Sequence, residues 1–155
     1  MLIRTILATA CLFALSGAPA RASEQSEVMD RIQQAVDATN QHASASVMAS
    51  YFTASVVLIG GVPPFVLSGP AAQAIEAWRK VNAAEAEHAG VSHFSLQLRE
   101  PRRVTVDNGH AYVVLPVDYR FERENKQLSI PGVITATLEK SEGKWLISTW
   151  TWTGD

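Results

Sequence analysis

Cysteine is nearly absent from this chain. The one cysteine among 155 residues, Cys11, lies in the apolar opening stretch, so neither a disulfide framework nor thiol chemistry serves the folded domain. Basic clusters are missing as well. Thirteen Lys and Arg stand against 15 Asp and Glu for a net charge of −2, and the only adjacent basic pairs are Arg79-Lys80 and Arg102-Arg103. Phosphate neutralisation dominates nucleic-acid binding, so no nucleic-acid partner is expected. The four histidines, His42, His88, His93 and His110, are too scattered for a metal site by spacing. No Ser-His-Asp set, phosphate loop or dinucleotide fingerprint is visible, and no cofactor or metal is expected. The longest apolar run, Thr5 to Leu15, is shorter than the roughly 20 residues a membrane span needs.

That run sits inside an address. Met1 to Arg4 forms a positive start, Thr5 to Leu15 an apolar core and Ala20-Arg21-Ala22 a small-x-small cleavage pattern, together the layout of a signal peptide. Residues 1–22 are read as the signal and 23–155 as one domain, cut after Ala22 and released to the periplasm or outside, with no membrane contact once cleaved. An uncleaved anchor is the alternative. A lipoprotein site at Cys11 is disfavoured because apolar residues continue past it. Without Arg4 and Arg21 the mature chain has 11 basic against 15 acidic residues, a net charge of −4. Its length suffices for a core without staples.

What is present begins with Val104 to Phe121, V-T-V-D-N-G-H-A-Y-V-V-L-P-V-D-Y-R-F. Asn108-Gly109 between two alternating runs predicts a two-residue hairpin turn with φ > 0 at both centres. Asp107 then faces His110, Val106 faces Ala111, and one apolar face continues through Val113, Leu115, Val117, Tyr119 and Phe121. The opposite face carries Arg103, Tyr112, Asp118 and Arg120.

Helical spacing precedes it. Ser26 is placed to cap a helix with Val28, Met29, Ile32, Ala35, Val36 and Thr39 on one face, and Ser44 a short second helix with Val47, Met48, Tyr51 and Phe52 inward. Ser55 to Ile59 reads as a strand and Phe65 to Pro70 as a loop. A third helix from Pro70 carries Ala71, Ile75, Trp78 and Asn82 on its inner stripe. Strands follow from Val91 to Arg99, with Phe94, Leu96 and Leu98 alternating against His93, Ser95 and Gln97. Pro101 marks a break, and Pro131-Gly132 a bend in the next strand.

The last hairpin admits two registers. A four-residue loop from Lys140 sets Leu138 across from Trp145 and puts Ile134, Ala136, Leu138, Trp145 and Ile147 on one apolar face, which a half-covered antiparallel sheet needs. Leu146, Trp150 and Trp152 then point to the outer face. Exposed aromatics of that kind mark association, so a homodimer through the sheet face is expected. A bulge near Ser148 would reverse this and place Trp150 in the interior.

The segments Y-F-T-A-S-V-V, G-P-A-A-Q-A-I-E-A-W, V-T-V-D-N-G-H-A-Y-V and G-K-W-L-I, in this order, resemble the SnoaL-like, nuclear transport factor 2-like superfamily across the whole mature chain. The resemblance implies an α+β cone in which a strongly curved antiparallel sheet wraps around three N-terminal helices over an apolar pocket, often in dimers. Members include ketosteroid isomerase-like and polyketide cyclase-like enzymes, dehydratases and non-catalytic domains, so fold does not settle function.

Isomerase-like catalysis would call for a carboxylate base near the first strand, with donors to an oxyanion. The matching stretch, Ser55 to Gly61, holds no Asp or Glu. His93 and Asp118 are the weak catalytic candidates: His93 could reach a pocket mouth, and Asp118 is expected to pair outside with Arg103 or Arg120. Tyr51, Trp78, His93, Tyr119, Phe121 and Thr149 are the expected pocket residues, around a small hydrophobic or aromatic ligand. Three classes stay open: a binding module, a pocket enzyme, and a dimerising domain with a filled core. Protein recovered from the periplasm is expected to weigh what residues 23–155 weigh; recovery there of the full-length mass would remove the signal peptide.

Overall fold

The computed structural model describes residues 17–154, with side chains from Ala22 onward. The positive start, the apolar core of the leader and Cys11 lie outside the described residues. The elements run α1 (Gly17–Asn40), α2 (Ala45–Ala49), β1 (Phe52–Ile59), β2 (Val66–Pro70), α3 (Ala71–His88), β3 (Val91–Leu98), β4 (Arg103–Asp107), β5 (His110–Arg123), β6 (Lys126–Ser141) and β7 (Lys144–Gly154). One curved, unclosed sheet takes the order β2-β1-β7-β6-β5-β3, with β4 also on β5. The helices cover one face. All neighbours are antiparallel except β1 and β7, which run parallel.

The central hairpin follows from its turn. Asn108 and Gly109 have φ of 47° and 75°, and Asp107 pairs with His110, Val106 with Ala111 and Val104 with Val113. Val106, Ala111, Val113, Leu115 and Val117 are buried on the inner face. β3 and β4 lie end to end along the same edge of β5. The break between them keeps its backbone paired, Arg99 N donating to Pro116 O at 3.0 Å and Arg102 N to Val114 O at 2.9 Å.

α1 lays Val28, Ile32 and Ala35 against Leu115, Ile134, Leu138 and Ile147 in one buried cluster, and Val36 is buried as well. Each buried Val, Leu or Ile contributes roughly 1.5–3 kcal/mol by leaving water. α1 is already helical at Gly17, the first described residue, so Ser26 lies inside the helix rather than at its cap, in an alanine-rich run that favours helix. Ser44 does cap α2, accepting from Val47 N at 3.4 Å. Met48 and Phe52 are buried, whereas Val47 faces solvent.

Three further expectations are corrected. Val66–Pro70 is a strand rather than a loop, paired to β1 from Ser55↔Pro70 to Ile59↔Val66. Pro131-Gly132 adds no bulge or break to its strand, since the β5–β6 ladder runs unbroken from His110↔Glu139 to Arg123↔Lys126. The last hairpin turns on two residues, Glu142 and Gly143 at φ of 50° and 77°, so Lys140 faces Trp145 and Leu138 faces Ile147. This register lies two residues from the expected one, and an even shift keeps the same side chains inward. Ile134, Ala136, Leu138, Trp145 and Ile147 are all buried. Lys140 reaches back across the indole of Trp145, 5.4 Å from its centre, to Glu24 at 3.1 Å and Glu27 at 3.3 Å on α1.

Two bulges set which residues face inward further along. In β7, Leu138↔Ile147 is followed by Thr137↔Thr149, leaving Ser148 as the extra residue. In β3, Ser92↔Glu122 is followed by Ser95↔Arg120, so that two residues, His93 and Phe94, stand opposite Phe121, with His93 at φ 51°. Asn40 secures the edge beyond this second bulge: its Nδ2 donates to Leu96 O at 2.9 Å and its Oδ1 accepts from Leu96 N at 2.8 Å. One side chain thus stands in for a neighbouring strand. Asn40→Ala strands both backbone groups and is expected to lower stability by about 2 kcal/mol in urea unfolding; an unchanged midpoint would show that Asn40 secures nothing.

Candidate functional site

The helices and the sheet pack tightly at one end and separate at the other, leaving a cavity of about 650 Å³. Its floor is the inner face of the sheet, with Phe52 and Leu58 on β1, Phe94 and Leu96 on β3, Tyr119 and Phe121 on β5, and Trp150 and Trp152 on β7. Its roof is Ala35 and Thr39 of α1, Met48 of α2, and Ile75, Trp78, Arg79 and Asn82 of α3.

Aromatic rings make up most of the floor. Tyr119 is their centre, stacked on Phe94 at 5.9 Å and 19°, tilted to Phe121 at 5.9 Å, and met edge-on by Trp152 at 5.9 Å and 90°. Phe52 and Trp150 pair at 6.4 Å, and His42 abuts Phe94 edge-on at 5.8 Å at the rim. Such offset and edge contacts hold rings in fixed orientations. Two of the indoles rest on glycine. A Cβ on Gly60 would overlap the tip of the Trp78 ring, and a Cβ on Gly132 would come within 3.2 Å of the Trp152 ring.

Most polar groups around the cavity are already engaged. Thr39 Oγ1 donates to Ala35 O at 2.9 Å, Asn82 Nδ2 to Trp78 O at 2.8 Å, and Arg79 Nη1 to Ala43 O at 2.7 Å, tying α3 to the turn after α1. The Tyr119 hydroxyl has no hydrogen-bond partner among the described residues, and burial pushes its phenol above the ordinary tyrosine value. It remains a protonated donor across the physiological range. Among the described residues the only carboxylate on the lining is that of Glu85, exposed on α3. Among the described residues no three His, Cys, Asp or Glu side chains are grouped to hold a metal ion.

Of the residues expected from sequence, Trp78, Tyr119 and Phe121 line this cavity, and Tyr51, His93 and Thr149 do not. Tyr51 lies under Arg31, whose guanidinium is 5.7 Å from its ring, and its carbonyl accepts from Ile147 N. The bulge throws His93 outward: its side chain is 77% exposed, 3.2 Å from Ser92 Oγ and 3.6 Å from Glu122. Thr149 belongs to the outer face, bonded to the Thr137 hydroxyl at 2.7 Å. Asp118 is also behind the sheet, paired with Arg99 (Nε to Oδ2, 2.9 Å) rather than with Arg103 or Arg120. Neither His93 nor Asp118 can act on anything in the cavity. The expected outer patch of Leu146, Trp150 and Trp152 does not form either, because the Ser148 bulge turns both tryptophans inward and leaves only Leu146 outside. The apolar positions do carry the signal for this, moving from odd numbers (Trp145, Ile147) to even ones (Trp150, Trp152) across Ser148-Thr149.

No family model matches the chain, and no curated protein matches it in sequence. Solved structures do share its architecture. A nuclear transport factor 2-like protein with a cystatin-like fold from Novosphingobium aromaticivorans superposes with a TM-score of 0.67 at 14% identity, over 92% of this chain and 90% of that one. A nuclear transport factor 2-like family member from Streptomyces avermitilis, provisionally named a dehydratase, gives 0.66 at 14% identity over 86% and 97%. A protein from Shewanella frigidimarina, provisionally named a ketosteroid isomerase, gives 0.60 at 18% identity over 82% and 94%. The chain therefore has the nuclear transport factor 2-like fold, and at these identities the likeness is one of fold.

The chain has three tyrosines. In a titration followed by phenolate absorbance, Tyr119→Phe is expected to abolish a step lying above the ordinary tyrosine value of about 10; loss of a step at or below that value would show the hydroxyl to be open to bulk water.

Proposed function

We propose that this protein is an exported binding module that holds one small hydrophobic or aromatic molecule beneath its sheet. The observation that carries the reading is the cavity itself, about 650 Å³ with aromatic and aliphatic walls and one unengaged hydroxyl, that of Tyr119. Ligand sites of about 300–1,000 Å³ are built in this way, apolar surface supplying affinity and a few polar groups fixing orientation. The volume weighs against a domain with a filled core. An enzyme of the isomerase or dehydratase kind needs a base within hydrogen-bond reach of the bound molecule. His93 and Asp118 lie outside the cavity, Glu85 is exposed at its margin, and His42 is exposed at its rim, edge-on to Phe94.

Tyr119 gives the site its polarity. A phenol held neutral in an apolar wall donates to an oxygen or nitrogen acceptor and discriminates against molecules that lack one, because a buried group left unpaired is penalised.

Three of the four tryptophans, Trp78, Trp150 and Trp152, line the cavity. Titration with anilinonaphthalene sulfonate is expected to saturate at one probe per chain, with energy transfer quenching most of the tryptophan emission. Native mass spectrometry of protein from its own host is expected to show a retained small molecule that the probe displaces. A chain that keeps no molecule and does not saturate with probe would overturn the reading.

A further inference from the structure

Gly132 and Gly154 face each other as a registered pair across β6 and β7, next to the pair formed by Ile134 and Trp152. Alternation puts all four residues on the inner face. Two opposed glycines leave a shallow trough on a surface otherwise covered by side chains, and a strand glycine of this kind marks a close approach by another group. The group is the Trp152 indole. A Cβ on Gly154 would lie 2.5 Å from its Cη2 and 2.6 Å from its Cζ3, and a Cβ on Gly132 would lie 3.2 Å from both Cζ2 and Cη2. The ring therefore lies down along the sheet instead of standing up from it, with Tyr119 meeting it edge-on. With the sheet below and Tyr119 beside it, a displaced ring moves into the hollow.

We infer that the Gly132–Gly154 trough sets the size of molecule the cavity accepts, by seating Trp152 against the sheet. The inference rests on the binding reading above and goes further, assigning size selection to two residues that carry no side chain. Methyl groups at the glycines would raise the indole into the cavity, excluding large flat occupants before small ones. Trp78 is seated in the same manner on Gly60 at another wall, so the device occurs twice in one cavity.

The test uses two probes of different size, naphthalene sulfonate and pyrene sulfonate, titrated into the full mature chain and into Gly132→Ala, Gly154→Ala, Trp152→Ala and the double variant Gly132→Ala/Trp152→Ala. Each glycine substitution is expected to weaken pyrene sulfonate about tenfold relative to naphthalene sulfonate, as overpacking of a close contact does. Trp152→Ala should shift the ratio the other way, and the double variant should recover the large probe. That recovery separates displacement of the ring from strain against Thr153 O, which lies 3.0 Å from the same Cβ of Gly132 and would persist in the double variant. If Gly132→Ala does not fold, Gly154→Ala and Trp152→Ala carry the test. Equal weakening of both probes, or no recovery in the double variant, overturns the inference. Absence of binding by the unsubstituted chain overturns the reading beneath it instead.

Discussion

Side chains on a strand alternate between its two faces, and a chain can change which residues face inward only by adding a residue to the ladder. This constraint governs the whole cavity floor. β7 presents Trp145 and Ile147 to the packed core, and after Ser148 it presents Trp150 and Trp152 to the hollow. β3 does the same around His93, with Val91 inward on one side of the bulge and Phe94 and Leu96 on the other. Each bulge takes up one polar residue, His93 exposed and Ser148 half-buried against Thr137, and keeps the apolar sequence on the concave side. Without them half of the aromatic floor would belong to the outer face.

The two ends of the molecule divide the work. Val28, Ile32, Leu115, Ile134 and Ile147 are wholly out of water, and this dense half stabilises a sheet whose other half encloses empty space. An unfilled hollow forfeits contacts that a filled core would make, so the roof has to be held open by other means. Arg79 fixes α3 to Ala43, Asn40 fixes the end of α1 to β3, and Lys140 draws the start of α1 onto β6. All three ties are polar and lie at the periphery, which leaves the interior to rings that pack on one another.

Most of the fold is legible in the residues. Asn108-Gly109 fixes the central register, the α1 stripe fixes its buried face, and the apolar set on the last hairpin survives a two-residue change of register because parity is all that matters to it. A change of parity within a strand is legible only as an alternative, the bulge near Ser148, which the shift of apolar positions from odd to even allows without marking the unpaired residue. Nothing in the local chemistry of Ser148-Thr149 announces an unpaired residue, and the alternation gives opposite answers on its two sides. Trp150 and Trp152 are therefore assigned to the wrong face, and Thr149 to the cavity. His93 is misplaced for the same reason, since a positive φ on a strand histidine has no compositional signature. Trp78, Tyr119 and Phe121 lie on a helix and a strand of uninterrupted period, which is why they are placed where they fall. Gly132 looks like a breaker beside Pro131, and its role as a seat depends on Trp152 and Gly154, which lie far along the chain.

The Ser148 bulge also decides which change of chain length β7 can absorb. Removing that serine would leave Thr149, Trp150 and Trp152 opposite Thr137, Ala136 and Ile134 as they are now, in simple alternation, and both indoles would keep facing the hollow. Keeping the serine but pairing it in the ladder would instead turn both indoles to the other surface of the sheet, and the hollow would lose two of its walls. What the bulge absorbs is one surplus residue.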